Sequence, residues 1–127
     1  MKFNFSQTYT PAAPVAEVWL GAPETRPSVG PLVALIDTGA DGTLVPLHHL
    51  RSIRGLAAVD RKWLRSQWGE QRLVRLYLVD IEIAGLLLPD IEVVADSLGD
   101  EIILGRNALN RLRITLDGPA QMIDVDE

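Results

Sequence analysis

The chain has 127 residues, 47% of them hydrophobic, and carries 12 Lys and Arg against 17 Asp and Glu for a net charge of -5. That size and apolar share predict one domain with an ample core. The absence of cysteine excludes a disulfide framework and a thiolate site, the acidic balance argues against a basic nucleic-acid footprint, and no stretch approaches the ~20 apolar residues of a membrane span.

The N-terminal run Met1 to Thr10 has no apolar stretch followed by a small-residue cleavage site, so it is not a signal peptide and a cytoplasmic protein is expected. Phe3 and Phe5 alternate with Asn4 and Ser6, which predicts a strand over Lys2 to Thr8. Pro11 and Pro14 interrupt regular structure because each lacks an amide donor. Val15 to Gly21 is a strand with Ala16, Val18 and Leu20 on one face and Val15, Glu17 and Trp19 on the other. Pro23 to Pro31 is a Pro-, Ser- and Gly-rich loop. Val33 to Ile36 is a central strand, Asp37 to Gly42 a polar loop and Thr43 to Val45 a short strand. Pro46 suits the first position of a short helix reaching His49 or Leu50.

Ala57 to Ser66 and Arg72 to Ala84 read as two long strands around a hairpin tip at Ser66 to Glu70, the second with imperfect alternation. Ala84 and Gly85 punctuate. Asp90 to Ala95 is a strand, Asp96 to Glu101 an acidic turn, and Ile102 to Leu104 a buried strand. Asn107 to Leu112 forms a helix of about two turns. Arg113 to Leu116 and Gln121 to Val125 are the last strands, joined by a turn at Asp117 to Pro119. Many short strands with frequent turn signals indicate an all-β barrel or sandwich.

The chemistry concentrates in Leu32 to Pro46, L-V-A-L-I-D-T-G-A-D-G-T-L-V-P. An apolar strand rarely ends in a carboxylate, because a charge in low dielectric is costly unless paired or hydrogen-bonded. This stretch resembles the active-site loop of the retropepsin-like aspartic proteases. Ile102 to Leu112, I-I-L-G-R-N-A-L-N-R-L, is similar to the segment that enters the C-terminal helix in that family. The resemblance covers about Val29 to Leu116. It implies a closed acid-protease barrel with one short C-terminal helix, and it adds meaning to a weak internal echo, strand then Gly-containing loop then helix, after Ile36 and again after Leu104.

The same resemblance assigns roles. Asp37 is the catalytic carboxylate. Thr38 bonds across a dimer axis, and Gly39 lets the backbone turn and substrate lie close. Gly39, Ala40, Asp41, Trp68 and Gly69 contact substrate. Asp41 and Arg106 form a structural ion pair. The termini interleave in many retropepsins, which makes Phe3 to Ser6 and Met122 to Val125 candidates for an interface by analogy.

Peptide hydrolysis by carboxylates alone needs two of them, since a pair about 3 Å apart shares one proton and offers a base and an acid together. The chain has no second Asp-Ser/Thr-Gly. It therefore supplies half a site, and a twofold homodimer supplies the rest. The expected activity is that of an aspartic endopeptidase on peptide or protein substrates, with no cofactor, metal, nucleic acid or membrane as partner. The alternative is an inactive dimerisation or peptide-binding module of the same fold. His48 and His49 are adjacent and lack ligand spacing. Trp19 and Trp63 read as core or interface residues. Arg51, Arg54, Arg61, Lys62 and Arg65 read as an exposed strand face.

Overall fold

The computed structural model describes residues 1–65 and 69–127. Ten strands and two short helices follow in order: β1 Lys2–Asn4, β2 Val15–Gly21, β3 Val29–Ile36, β4 Thr43–Pro46, α1 Leu47–Arg51, β5 Asp60–Arg65, β6 Gln71–Ile83, β7 Leu86–Asp96, β8 Ile102–Leu104, α2 Arg106–Leu109, β9 Arg113–Asp117 and β10 Met122–Asp126. The large sheet runs β2-β3-β8-β4-β7-β6-β5, and a further β2–β6 pairing closes its first six strands into a barrel. β1, β10 and β9 form a separate three-stranded sheet. The expected all-β closed barrel is therefore present, with a second short helix besides the C-terminal one. No helix among the described residues is long and apolar enough to cross a membrane.

Burial follows the period of two. Ala16, Val18 and Leu20 of β2 are buried, while Glu17 between them is exposed. The core gathers these with Val45, Val79, Ile81, Ile83, Val93, Leu104 and Ile123. In β6 the pattern changes phase. Val74 and Leu76 are buried on one face, outside the main core, and Val79, Ile81 and Ile83 enter that core from the other. Burial of first one face and then the other is the source of the imperfect alternation, and a register shift follows between Val79 and Ile81.

Asp80 sits in that irregularity, 3% exposed. Its carboxylate accepts from the Glu24 amide at 3.0 Å and the Asp90 amide at 2.9 Å. Both donors have left-handed backbone, φ 66° and 53°. A buried carboxylate thus holds one turn residue and one residue within β7 in a backbone region that side chains disfavour.

Several boundaries differ from expectation for identifiable reasons. β1 ends at Asn4, and β3 begins at Val29, so Gly30 and Pro31 belong to a strand. β7 runs through Pro89 from Leu86 instead of starting at Asp90. The ladder pairs Ile81 with Leu88 and Val79 with Ile91, so Pro89 lies where no ladder bond is lost. The β6–β7 connection is a two-residue turn, Ala84 and Gly85, both with positive φ, the geometry that suits strand twist. Pro46 ends β4 and directly precedes α1 instead of opening it. α2 spans Arg106–Leu109, one residue earlier and shorter than expected, and tighter bonds from Arg111 to Ala108 and Leu112 to Leu109 finish the turn.

The internal echo is stronger than the sequence suggested, and its units are different. β4 pairs parallel with β7 through Thr43–Val93, Leu44–Val94 and Val45–Ala95. β8 pairs parallel with β3 through Ile102–Ala34, Ile103–Leu35 and Leu104–Ile36. β4 and β8 meet antiparallel at Leu44 and Ile103. These pairings repeat each other residue for residue. The matching units are therefore β3–loop–β4–α1 and β7–turn–β8–α2, with Asp37 and Asp96 at equivalent positions.

Candidate active site

Asp37 follows the last residue of β3, where the barrel wall gives way to the loop. Its amide donates to the Leu104 carbonyl at 3.1 Å, continuing the β3–β8 ladder by one bond. The residue is half-buried. Its Oδ1 accepts from the Gly39 amide at 2.9 Å, and the Ala40 amide closes a turn on the Asp37 carbonyl at 3.2 Å. Oδ2 has no partner among the described residues. One oxygen is anchored and the other is available, as a group that must exchange a proton requires.

The loop is seated on the entrance to α2. The Arg106 amide donates to the Ala40 carbonyl at 2.8 Å and the Asn107 amide to the Asp41 carbonyl at 3.3 Å. The Arg106 guanidinium reaches the Thr38 carbonyl at 2.9 Å. Gly105 makes this seat possible: a Cβ there would lie 2.0 Å from the Gly42 carbonyl oxygen and 3.0 Å from that of Ala40. Beneath the seat Thr43 is fully buried. Its hydroxyl donates to Asn107 Oδ1 at 2.7 Å and accepts from the Gly105 amide at 3.1 Å. Asn107 Nδ2 donates onward to the Glu92 carbonyl at 2.8 Å. The polar atoms of this buried junction are mutually satisfied, which makes it rigid.

Asp37, Thr38, Gly39, Ala40, Asp41 and Arg106 are thus brought into one structure. The expected Asp41–Arg106 ion pair is not formed in the single chain. Asp41 meets α2 through its backbone carbonyl, and the guanidinium is taken by Thr38 instead. Thr38 and Gly39 are exposed at the loop surface. Gly69 lies on the hairpin between β5 and β6 with φ 82°, and the expected Trp68 contact lies outside the described residues. Phe3 and Met122 to Val125, offered as interleaving elements, pair inside the chain: Phe3 faces Ile123, and the Met1 ammonium binds Asp124 at 3.1 Å.

Sequence reasoning did not single out Thr43 and took Asp96 only as the start of an acidic turn. Thr43 had a signal, a hydroxyl residue opening a strand that needs only apolar side chains. Asp96 had one too, since I-D-T-G-A-D-G-T-L and A-D-S-L-G-D-E-I-I align without gaps. His48 and His49 lie with ring centroids 4.0 Å apart and planes tilted by 44°, and burial, then the neighbouring His48, lowers the pKa of His49. No group of three or more metal-binding side chains occurs among the described residues.

No protein-family model and no curated protein sequence matches the chain. Solved structures do. A retropepsin-like aspartic protease from Rickettsia conorii superposes with TM-score 0.68 at 12% identity, over 100% of this chain and 92% of that one. EIAV protease gives 0.56 at 20% identity, over 78% and 86%. The retroviral protease-like domain of Ddi1 from Leishmania major gives 0.57 at 15% identity, over 91% and 89%. The fold is retropepsin-like.

Proposed function

We propose that the chain is one half of an aspartic endopeptidase and that Asp37 from each of two copies forms the catalytic pair. The observation that carries this reading is the presentation of Asp37: a carboxylate at a strand end, one oxygen anchored by the Gly39 amide, on a loop seated by backbone bonds onto α2. A purely structural Asx turn needs no such seat. The protease character of the structural neighbours agrees with it.

In the dimer the two carboxylates share one proton because both cannot ionise about 3 Å apart. The ionised member takes a proton from water as the oxygen attacks the scissile carbonyl carbon. The protonated member gives its proton to the carbonyl oxygen, yielding a neutral gem-diol. Collapse then breaks the C–N bond, and the amine leaves with a proton from the pair. Thr38, exposed beside the pair, is suited to bond across the axis.

The terminal sheet supports a twofold partner. β9 is an open edge, Arg113-Ile114-Thr115-Leu116-Asp117, with β10 on its other side. Laid antiparallel on a copy of itself about Thr115, it sets Arg113 opposite Asp117 and Ile114 opposite Leu116, a self-complementary pattern. Leu116 lies beside fully buried Ile123 yet is 54% exposed, so its cover is missing in the single chain.

A peptide library incubated across acidic to neutral pH tests the reading. Cleavage should follow a bell-shaped profile centred below neutrality, and Asp37→Asn should abolish it while the protein stays folded. Cleavage by Asp37→Asn at the wild-type rate would remove the proposal; a folded wild type that cuts nothing at any pH favours the inactive module.

A further inference from the structure

The β5–β6 hairpin has two unlike faces. Its ladder pairs Arg61 with Arg75, Trp63 with Leu73 and Arg65 with Gln71, and residues so paired stand side by side on one face. The other face carries Val74 and Leu76, 5% and 4% exposed, so it is covered by the chain, outside the main core. The first face continues along β6 through half-buried Tyr77 to the core residue Val79, and at the hairpin it is open, with Trp63 62% exposed and Leu73 46%. Trp63, expected in a core or interface, is largely open in the single chain.

The charges on this face are not explained by the fold. Arg61 and Arg75 oppose each other directly, and like charges so placed are destabilising. Among the described residues the single ion pair is Met1–Asp124, and none of the three arginine side chains meets a described acceptor. They are concentrated on one small surface of a chain whose net charge is -5.

From this pattern we infer that the open face of the β5–β6 hairpin is a docking surface for an acidic, extended peptide segment of the form acid-x-apolar-x-acid. Successive rows on one face lie about 6.8 Å apart, two residues along a strand, and an extended peptide repeats its own side chains at the same distance. The first carboxylate falls between Arg61 and Arg75, whose spacing of about 5 Å lets both guanidinium groups donate to it. The apolar side chain rests on Trp63 and Leu73. The second carboxylate reaches Arg65, with the Gln71 amide beside it. An acidic peptide is favoured over nucleic acid because a long polyanion would meet the negative field of the rest of the chain, and the face offers one ring instead of a series of stacking platforms. As a docking surface it stands independently; as a means of selecting substrates with an acidic segment, it rests on the peptidase reading.

The test is fluorescence anisotropy on the full chain carrying Asp37→Asn, so that binding is read without cleavage. The probes are a labelled Glu-x-Leu-x-Glu peptide, its Gln-x-Leu-x-Gln counterpart and an oligothymidylate. The acidic peptide should bind at least about tenfold tighter than the neutral one and weaken as salt rises. The exposed changes Arg61→Gln and Arg75→Gln together should erase that preference. Lys62→Gln, on the opposite face of β5, should keep it. Equal binding of the two peptides, tighter binding of the oligothymidylate, or an equal loss in Lys62→Gln would overturn the inference. In the cleaving protein, a substrate joined to the acidic segment should show a raised KM and unchanged kcat when the two arginines are replaced. Binding without cleavage would leave the docking surface standing and count against the peptidase alone.

Discussion

Two turns of this chain occupy equivalent positions in the internal repeat and have become different objects. Asp37 follows β3 and Asp96 closes β7, and each accepts an amide two residues on, Gly39 at 2.9 Å and Leu98 at 2.9 Å. Asp96 Oδ1 also takes the Gly99 amide at 3.0 Å. What separates them lies beneath. The Asp37 loop rests on Gly105, Arg106 and Asn107 through backbone bonds. The matching positions below the Asp96 turn are Pro46, Leu47 and His48, and none of them bonds to the backbone of that turn among the described residues. That turn is tied to the N-terminal segment instead, by the Tyr9 hydroxyl donating to Glu101 at 2.5 Å. Two similar local turns thus differ in support, and the proposed catalytic carboxylate belongs to the one with the rigid seat.

The sharpest contrast is in activity. Against the loss of about 100-fold or more expected when an acid–base carboxylate is removed at Asp37, Asp96→Asn should leave turnover within a few-fold of wild type in the same peptide assay. Comparable losses from both changes would make the two turns functionally alike. Next comes the seat. Gly105→Ala puts a methyl 2.0 Å from the Gly42 oxygen, so the loop must move, at a cost of about 3 kcal/mol or more in unfolding free energy. Pro46→Ala at the equivalent place should cost clearly less, as denaturant melts will read.

Smaller is Thr43→Val. It keeps the shape of a fully buried side chain while stripping partners from the Gly105 amide and Asn107, for an expected loss of about 1–3 kcal/mol. An unchanged midpoint would mean the junction is not held by that hydroxyl. The smallest effect sits on the twin turn. The hydrogen bond to Glu101, with burial adding to it, raises the Tyr9 pKa from 10.0 to about 12. The protonated phenol is the donor, so the tie is fully present below pH 10 and lost as pH rises through about 12. Ultraviolet titration of Glu101→Gln should show Tyr9 falling back toward 10.0 with activity unaffected.

Much of this was readable from residues alone. The strand Val15–Gly21 and the buried Ile102–Leu104 were found at their observed limits because alternation or a pure apolar run marks them cleanly. The Asp37 loop was legible because a carboxylate ending an apolar strand is an anomaly. Other features depend on partners far away in sequence. Pro89 reads as a breaker until the irregularity opposite it is seen, and Arg106 reads as an ion-pair donor until the Thr38 carbonyl is found in its path. The buried role of Asp80 rests on amides of Glu24 and Asp90, which no local pattern connects. The hairpin face of Arg61, Trp63 and Arg75 depends on register, and register is a property of two strands together.

The central claim is that one chain holds only half of the catalytic couple. Titrating the purified protein with a hydroxyethylene peptide, a mimic of the gem-diol, measures this directly by the number of inhibitor molecules bound per chain. One inhibitor per two chains, on a particle of dimer mass and abolished by Asp37→Asn, is the predicted result. One inhibitor per chain on a particle of monomer mass would contradict it.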